Sequence, residues 1–172
     1  MKSIRSKSTF AMVALTLALI LVALPVSATP AEEIRTEAEI VFDISSGTMH
    51  GEGAWSSEGF IASSGQAVED HFVAGWPPGY VFKTAHLTET WRDANGEITI
   101  QTQLNVGEWT IVSFPSDVHY EGSGHWVVKS GTGAYENLKG QGAVTFVGAI
   151  TPDSYPNLIV SESYEGVAHF EP

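Results

Sequence analysis

The strongest candidate for a catalytic or ligand-binding residue in this sequence is Glu162, within the segment LIVSESYE. Glu162 has the same parity as Leu158, Val160 and Tyr164, so the alternation of a strand would aim its carboxyl into an apolar interior. Burial raises the pKa of a carboxyl, and an enclosed one can donate a proton or bind a ligand. The alternative is a slip of register, or a bulge near Gly166, that turns Glu162 toward water.

His86 is the second candidate for proton chemistry. It has the parity of Tyr80, Phe82, Thr84 and Thr88, which predicts an interior position. A neutral imidazole there can act as an acid, a base or a hydrogen-bond donor. The competing interpretation is a structural histidine in the core or at the mouth of a barrel.

Two sets of histidine and carboxylate residues alternate along predicted strands. One set is His71 with Glu69, and the other is His119 with Glu121 and His125. Alternate residues place ligands about 6 to 7 Å apart, which suits a metal only if a neighbouring strand adds more ligands. No motif such as HExxH strengthens either set, so we expect no metal site and no cofactor.

Aromatic residues gather around the segment GWPPG at 75–79. Trp76 stands next to two prolines, and a stiff loop of this kind presents a large ring at low entropic cost. The segment predicts a loop that caps one end of the fold or contacts a partner. The residues that we expect to bind a ligand are Trp76, Tyr80, His86, Tyr120 and Glu162, and the two catalytic candidates are Glu162 and His86.

Short strands must position these residues. The predicted strands begin at Thr36 and continue over 49–55, 67–73, 81–91, 97–106, 109–114, 119–129, 143–150 and 158–170. Turn sequences such as DANG at 93–96 separate them, and no helical period is present. The pattern predicts an all-β fold, a single antiparallel barrel of about eight strands, with a β-sandwich as the alternative.

The parity of two strands predicts part of the core. Ile98, Ile100 and Leu104 share one face of their strand, opposite a polar face. Tyr120, Trp126 and Val128 share a face with two glycines at which we expect the strand to bend. Residues 122–146 as a whole predict one long hairpin with a glycine-rich connector.

The N-terminus has the form of a secretory signal peptide. Basic residues precede an apolar run from Phe10 to Val26, and small residues follow up to Ala28. A membrane anchor is the alternative. We expect a signal peptide at 1–28, a flexible leader at 29–35 and a barrel domain at 36–172, with the mature protein outside the cytoplasmic membrane. The absence of cysteine leaves stability to packing and hydrogen bonds.

The chain is acidic, with a formal net charge of −12, and three of its eight basic residues lie in the predicted signal peptide. Such a surface repels phosphate, which argues against a nucleic-acid partner. The same charge favours solubility, cations and basic ligands.

The segment from Trp126 to Gly142, WVVKSGTGAYENLKGQG, resembles small secreted bacterial proteins of the allene oxide cyclase barrel-like group. Plant dirigent proteins and allene oxide cyclases have a similar G-G-T-G-x-[FY] turn, and the segment from His86 to Gln101 is similar to their hairpin. The resemblance implies an eight-stranded antiparallel barrel, with cyclisation of an epoxide or control of radical coupling in the plant proteins. The matching residues make turns and packing contacts, so they imply a fold and no catalytic groups.

Three functions follow as expectations. The first is a secreted, non-enzymatic barrel that binds a small apolar or aromatic molecule or a protein surface. The second is an isomerase or cyclase in which Glu162 or His86 handles a proton. The third is a structural subunit of a homo-oligomer, which the resemblance to trimeric plant barrels allows.

Overall fold

The computed structural model describes residues 30–46, 50–71 and 84–172. Eight antiparallel strands within these ranges form a closed barrel. The strands are β1 (Glu32–Asp43), β2 (His50–Gly59), β3 (Ser63–His71), β4 (Thr84–Asp93), β5 (Gly96–Ser113), β6 (Asp117–Gly131), β7 (Leu138–Ile150) and β8 (Asn157–Phe170). Each strand pairs with the next, and β8 pairs with β1. The barrel prediction is confirmed, and the sandwich alternative is excluded because the eight described strands close on one another and none of them forms a sheet edge. Within the described residues, no helix is long and apolar enough to span a membrane.

The period-two pattern of the sequence becomes an inner and an outer face. In β1, every second residue from Ile34 to Phe42 is buried, while its neighbours are exposed. Ile98, Ile100 and Leu104 are buried as predicted, and so are Tyr120, Trp126 and Val128. Burial of these apolar side chains drives closure of the barrel.

Most predicted strands differ from the observed ones by a few residues at their ends, and two differences are larger. Residues 32–35 belong to β1 and pair with β8, and Ile34 and Arg35 also pair with β2, so the predicted leader at 29–35 is too long. The charged residues on both sides of Ile34 made this segment look like a polar leader, although Ile34 itself is buried. The strands predicted at 97–106 and 109–114 form one strand, β5, because a bulge between Val106 and Glu108 lets the pairing continue. The predicted signal peptide at 1–28 lies outside the described residues.

Glycines opposite aromatic residues determine how the rings pack inside the barrel. In five cross-strand pairs, a Cβ atom on the glycine would overlap the ring of its partner or press against it. The pairs are Phe42 with Gly51, Trp55 with Gly65, Tyr120 with Gly148, Trp126 with Gly142, and Phe146 with Gly122. The missing side chains therefore let large rings lie against the barrel wall, as in the aromatic rescue of glycine in designed sheets.

One end of the barrel is closed by tight turns, and we call it the turn end; it carries the β2–β3, β4–β5 and β6–β7 connections. Its centre is the carboxylate of Asp93, which accepts hydrogen bonds from the Ser63 hydroxyl, the Tyr135 hydroxyl at 2.6 Å and the amides of Asn95 and Gly96. Partial burial raises the pKa of Asp93, but the bonds from Ser63, Tyr135 and Asn95 outweigh it and hold the pKa well below its usual range.

The turn GTGAY at 131–135, which is part of the segment that resembles the plant barrels, contacts this carboxylate through the Tyr135 hydroxyl. Gly133 has a φ of 62°, a left-handed conformation, and a Cβ there would overlap the carbonyl of Asn95. The amide of Ala134 donates to that same carbonyl at 2.9 Å. The β6–β7 and β4–β5 connections therefore form one unit, in which DANG makes a hairpin turn.

Tyr135→Phe should lower the free energy of unfolding by about 1 to 2 kcal/mol, because it removes a hydrogen bond to an ionised carboxylate. Chemical denaturation at neutral pH measures this change. Tyr155→Phe is the matched control, since Tyr155 is exposed in the β7–β8 connection. Equal midpoints for the two variants would show that the Tyr135 bond contributes nothing.

Candidate functional site: a buried carboxyl cluster

Three glutamates from three strands point into the barrel. Glu69 of β3, Glu89 of β4 and Glu162 of β8 are respectively 1%, 1% and 2% exposed. Glu69 and Glu89 are cross-strand partners, and Glu162 reaches Glu89 across the interior. A buried carboxyl costs several kcal/mol unless it is neutral or paired, so three in one core are a functional signal.

Tyr164 joins two of these carboxyls. Its hydroxyl lies 2.5 Å from Glu89 Oε2 and 2.7 Å from Glu162 Oε2. The indole Nε1–H of Trp91 donates to Glu89 Oε1 at 2.5 Å. A phenol has one proton and can donate it to only one carboxylate at a time. The second short contact therefore requires another proton, so at least one of the two glutamates is a carboxylic acid.

The surroundings favour the acid form of all three glutamates. Burial raises the pKa of Glu89 well above its usual value, and the charge of Glu162 raises it further, while the bonds from Tyr164 and Trp91 act in the opposite direction. Burial and the charge of Glu69 likewise raise the pKa of Glu162. Burial and the charge of Glu89 do the same for Glu69. The cluster thus keeps its protons to a higher pH than exposed carboxyls do.

Aromatic rings lie between the cluster and the turn end. Trp91 stacks on Trp55 with their ring centroids 5.5 Å apart, and Tyr164 meets Trp91 edge-on at 5.2 Å. Trp126 contacts Tyr164 edge-on at 6.3 Å. We call Trp55, Trp91 and Trp126 the aromatic floor. It gives the polar cluster an apolar base on the side of the closed turns.

Tyr120 borders the cluster on the side away from the floor. Its ring contacts Phe146 at 6.0 Å, and burial together with the charges of Glu69 and Glu162 raises the pKa of its hydroxyl. The described residues that connect strands at this end, which we call the loop end, are 44–46, 114–116 and 151–156. Tyr120 and the three glutamates therefore form a polar layer between the floor and the loop end.

The structure confirms the inward positions of Glu162 and Tyr120 and contradicts that of His86. His86 is exposed, because the inner face of β4 carries the other parity: Ala85, Leu87, Glu89 and Trp91. The His86 side chain instead lines a groove of about 700 Å³ on the outer surface, with Gln103 and His125. A proton role inside the barrel is therefore not available to His86.

Glu69 and Glu89 are the residues that the prediction of the interior site missed. Glu89 has the parity of the apolar residues Ala85, Leu87 and Trp91, and that signal was present in the sequence. Glu69 was assigned to a metal-binding pair, but its carboxyl is in the core. The register of β3 against β4 places it opposite Glu89.

The proposed metal sets do not converge among the residues that the structure describes. His119, Glu121 and His125 lie exposed on the outer face of β6, and no group of three or more such ligands is placed to hold an ion in residues 30–46, 50–71 and 84–172. The side chain of His71, and the residues Trp76 and Tyr80 with the GWPPG segment, lie outside the described part of the chain.

No family model, no curated protein and no solved structure matches this chain. The class of the protein therefore rests on its own features: a closed eight-stranded antiparallel barrel with an acidic, aromatic-lined interior.

Proposed function

We propose that this barrel binds one small, largely apolar or aromatic molecule in its interior, beside Glu89, Glu162 and Tyr164. The observation that carries the proposal is the cluster of three carboxyls inside an otherwise apolar barrel. A core selected for stability alone would replace them with apolar side chains, which fill the same volume without a desolvation cost. An eight-stranded barrel is wide enough for its side chains or for one small ligand.

The arrangement of the interior supports a ligand with two unlike parts. The aromatic floor offers ring faces and edges to an apolar body. The glutamates and Tyr164 offer hydrogen bonds to one polar group. With the signal peptide predicted at 1–28, this binding would take place outside the cytoplasmic membrane.

Acid-catalysed isomerisation or cyclisation is the second candidate, and the shared proton between Glu89, Tyr164 and Glu162 favours it. A carboxylic acid that stays protonated at neutral pH is the group that general acid catalysis requires. In that case Glu162→Gln should lower kcat and leave affinity almost unchanged, whereas a binder has no turnover to lose.

Native mass spectrometry of the mature protein, before and after organic extraction, tests whether a ligand is held. We expect a small organic adduct that extraction removes. Where purification strips it, titration with small aromatic compounds should change the tryptophan fluorescence of the floor. A bare mass together with no response to such compounds would contradict the proposal.

Ala38→Leu should weaken this binding at least about tenfold, because Ala38 faces the interior as the cross-strand partner of Glu162 and of Trp55, and the larger side chain takes up ligand space. Ala54→Leu is the matched control on the outer face of β2. Thermal melts verify that both variants fold. Equal affinities for folded variants would place the ligand elsewhere.

A further inference from the structure

We propose that the molecule bound in the interior carries a positively charged nitrogen, so that the site is selective for a small organic cation such as a primary amine with an aromatic body. This inference rests on the proposed function and specifies its ligand class. It follows from the hydrogen-bonding capacity, the charge and the aromatic surface of the interior.

One carboxylate oxygen of the cluster is available for a donor. Glu162 Oε1 is fully buried and has no hydrogen-bond partner among the described residues, although Glu162 Oε2 contacts Tyr164. A buried acceptor without a donor costs about 1 to 3 kcal/mol. An ammonium group has three N–H donors and no acceptor, so one group can satisfy Glu162 Oε1 and a second carboxyl of the cluster at once.

The described basic residues do not supply that donor. The buried polar and charged residues include three glutamates but no lysine, arginine or histidine from the described ranges. Arg35 and Arg92 lie outside the barrel, where they pair with Glu165 and Glu97 at 2.7 and 2.8 Å. A cation that enters the interior would therefore meet an excess of acidic groups, and it would stabilise the carboxylate form of one of them.

The aromatic floor also favours a positively charged ligand. Ring faces carry negative electrostatic potential and attract a cation within about 6 Å, most strongly for tryptophan. Trp91 is held beside the cluster by its bond to Glu89, and Tyr164 packs edge-on against it. Carboxyls that can ionise beside tryptophan ring faces suit an organic cation, whereas the ring faces repel an anion.

Binding of such a cation should be coupled to the loss of a proton from the cluster. Among the residues that the structure describes, the titratable groups that face the interior are Glu69 from β3, Glu89 from β4, Tyr120 from β6, and Glu162 and Tyr164 from β8. The buried polar residues Thr36 of β1, Ser57 of β2 and Thr102 of β5 carry no charge. When an ammonium binds, the O–H bond of one carboxylic acid breaks, its proton passes to the buffer, and the carboxylate pairs with the ammonium. Affinity should then rise by up to about tenfold per pH unit while the cluster is protonated.

Benzylamine and benzyl alcohol are the probes, because they have nearly the same shape and differ in charge. Isothermal titration calorimetry at two pH values, in buffers of different ionisation enthalpy, measures affinity and proton release together. We expect benzylamine to bind at least about tenfold more tightly than benzyl alcohol, with about one proton released. Equal affinities, or tighter binding of the alcohol, would overturn the selectivity while leaving interior binding intact. No binding of either probe would also overturn it, and the mass spectra would then decide the proposed function separately.

Glu162→Gln and Glu89→Gln test the residues. Each keeps the size of the side chain and removes its negative charge, so benzylamine should lose about tenfold or more in affinity and benzyl alcohol should change little. Glu165→Gln is the control, as Glu165 lies on the outer face of the same strand as Glu162. Two independent variants protect the test against the failure of one to fold. An unchanged preference for the amine in both folded variants would contradict the assignment.

Discussion

The barrel should be most stable at mildly acidic pH and should lose several kcal/mol of unfolding free energy as the pH rises from about 5 to about 8. Glu69, Glu89 and Glu162 have pKa values raised well above the usual value, first of all by burial. An ordinary acidic protein with exposed carboxylates would show a much flatter profile, so the expected slope reports the buried cluster.

The sign follows from the protons bound in each state. In the unfolded chain the three glutamates ionise at about pH 4.3, whereas in the barrel they stay protonated to higher pH. Their contribution to stability is therefore complete below the unfolded pKa and is lost as the pH rises toward the native values. Each group contributes at most about 1.4 kcal/mol per pH unit.

Asp93 acts in the opposite direction at the acidic end. Its pKa is held below the usual range, so its contribution is present above the unfolded pKa of about 3.9 and is lost as the pH falls below it. The two effects together place the stability maximum near about pH 4 to 5.

Urea denaturation across this pH range, on the wild-type chain and on Glu162→Gln, measures the effect. The variant should have a shallower slope, because one titrating group has been removed, and Glu165→Gln should keep the wild-type slope. A flat wild-type profile, or identical slopes for wild type and Glu162→Gln, would contradict the assignment of a protonated cluster.

Gly148→Ala should destabilise the barrel by about 1 to 3 kcal/mol and weaken ligand binding, because the added methyl overlaps the ring of Tyr120. Tyr120 is 5% exposed and packs against Phe146, so its ring cannot move aside without repacking the interior next to the carboxyl cluster. A single added methyl group at position 148 should therefore affect both the stability of the barrel and the shape of the interior next to the carboxyl cluster.

Gly107→Ala is the matched control for this substitution. At that position the nearest atom to an added Cβ is the carbonyl oxygen of Glu121 at 3.6 Å, an ordinary contact. The double variant Tyr120→Ala/Gly148→Ala should be less destabilised than the sum of its single variants, because removal of the ring removes the overlap. Additive losses in denaturation experiments would show that the ring and the glycine are not coupled.

The turn end and the interior of the barrel differ in how their hydrogen bonds depend on pH. At the turn end, Asp93 and Tyr135 join two connections through bonds that persist over most of the pH range. In the interior, Glu89, Tyr164 and Glu162 form bonds that depend on shared protons. The turn end contributes stability at neutral pH, while the cluster reduces stability there.

Much of the fold could be predicted from local pattern. The alternation around Ile98, Ile100 and Leu104 and around Tyr120, Trp126 and Val128 predicted their burial, and the same rule predicted that Glu162 faces inward. The rule failed for His86 because Tyr80 and Phe82 suggested the wrong face, whereas Ala85, Leu87 and Trp91 lie inside. A strand with apolar residues of both parities has no unique register from sequence alone.

The all-β class, the main turns and the faces of the clearest strands follow from the sequence alone, because side-chain alternation and glycine conformations are local properties. The proximity of Glu162 to Glu69 and Glu89 depends on the three-dimensional fold, since it requires strands β3, β4 and β8 to close around one axis. The raised pKa values arise in the same way: desolvation and the repulsion of like charges depend on what surrounds a carboxyl in space, and three residues far apart in the chain become one site only when the barrel closes.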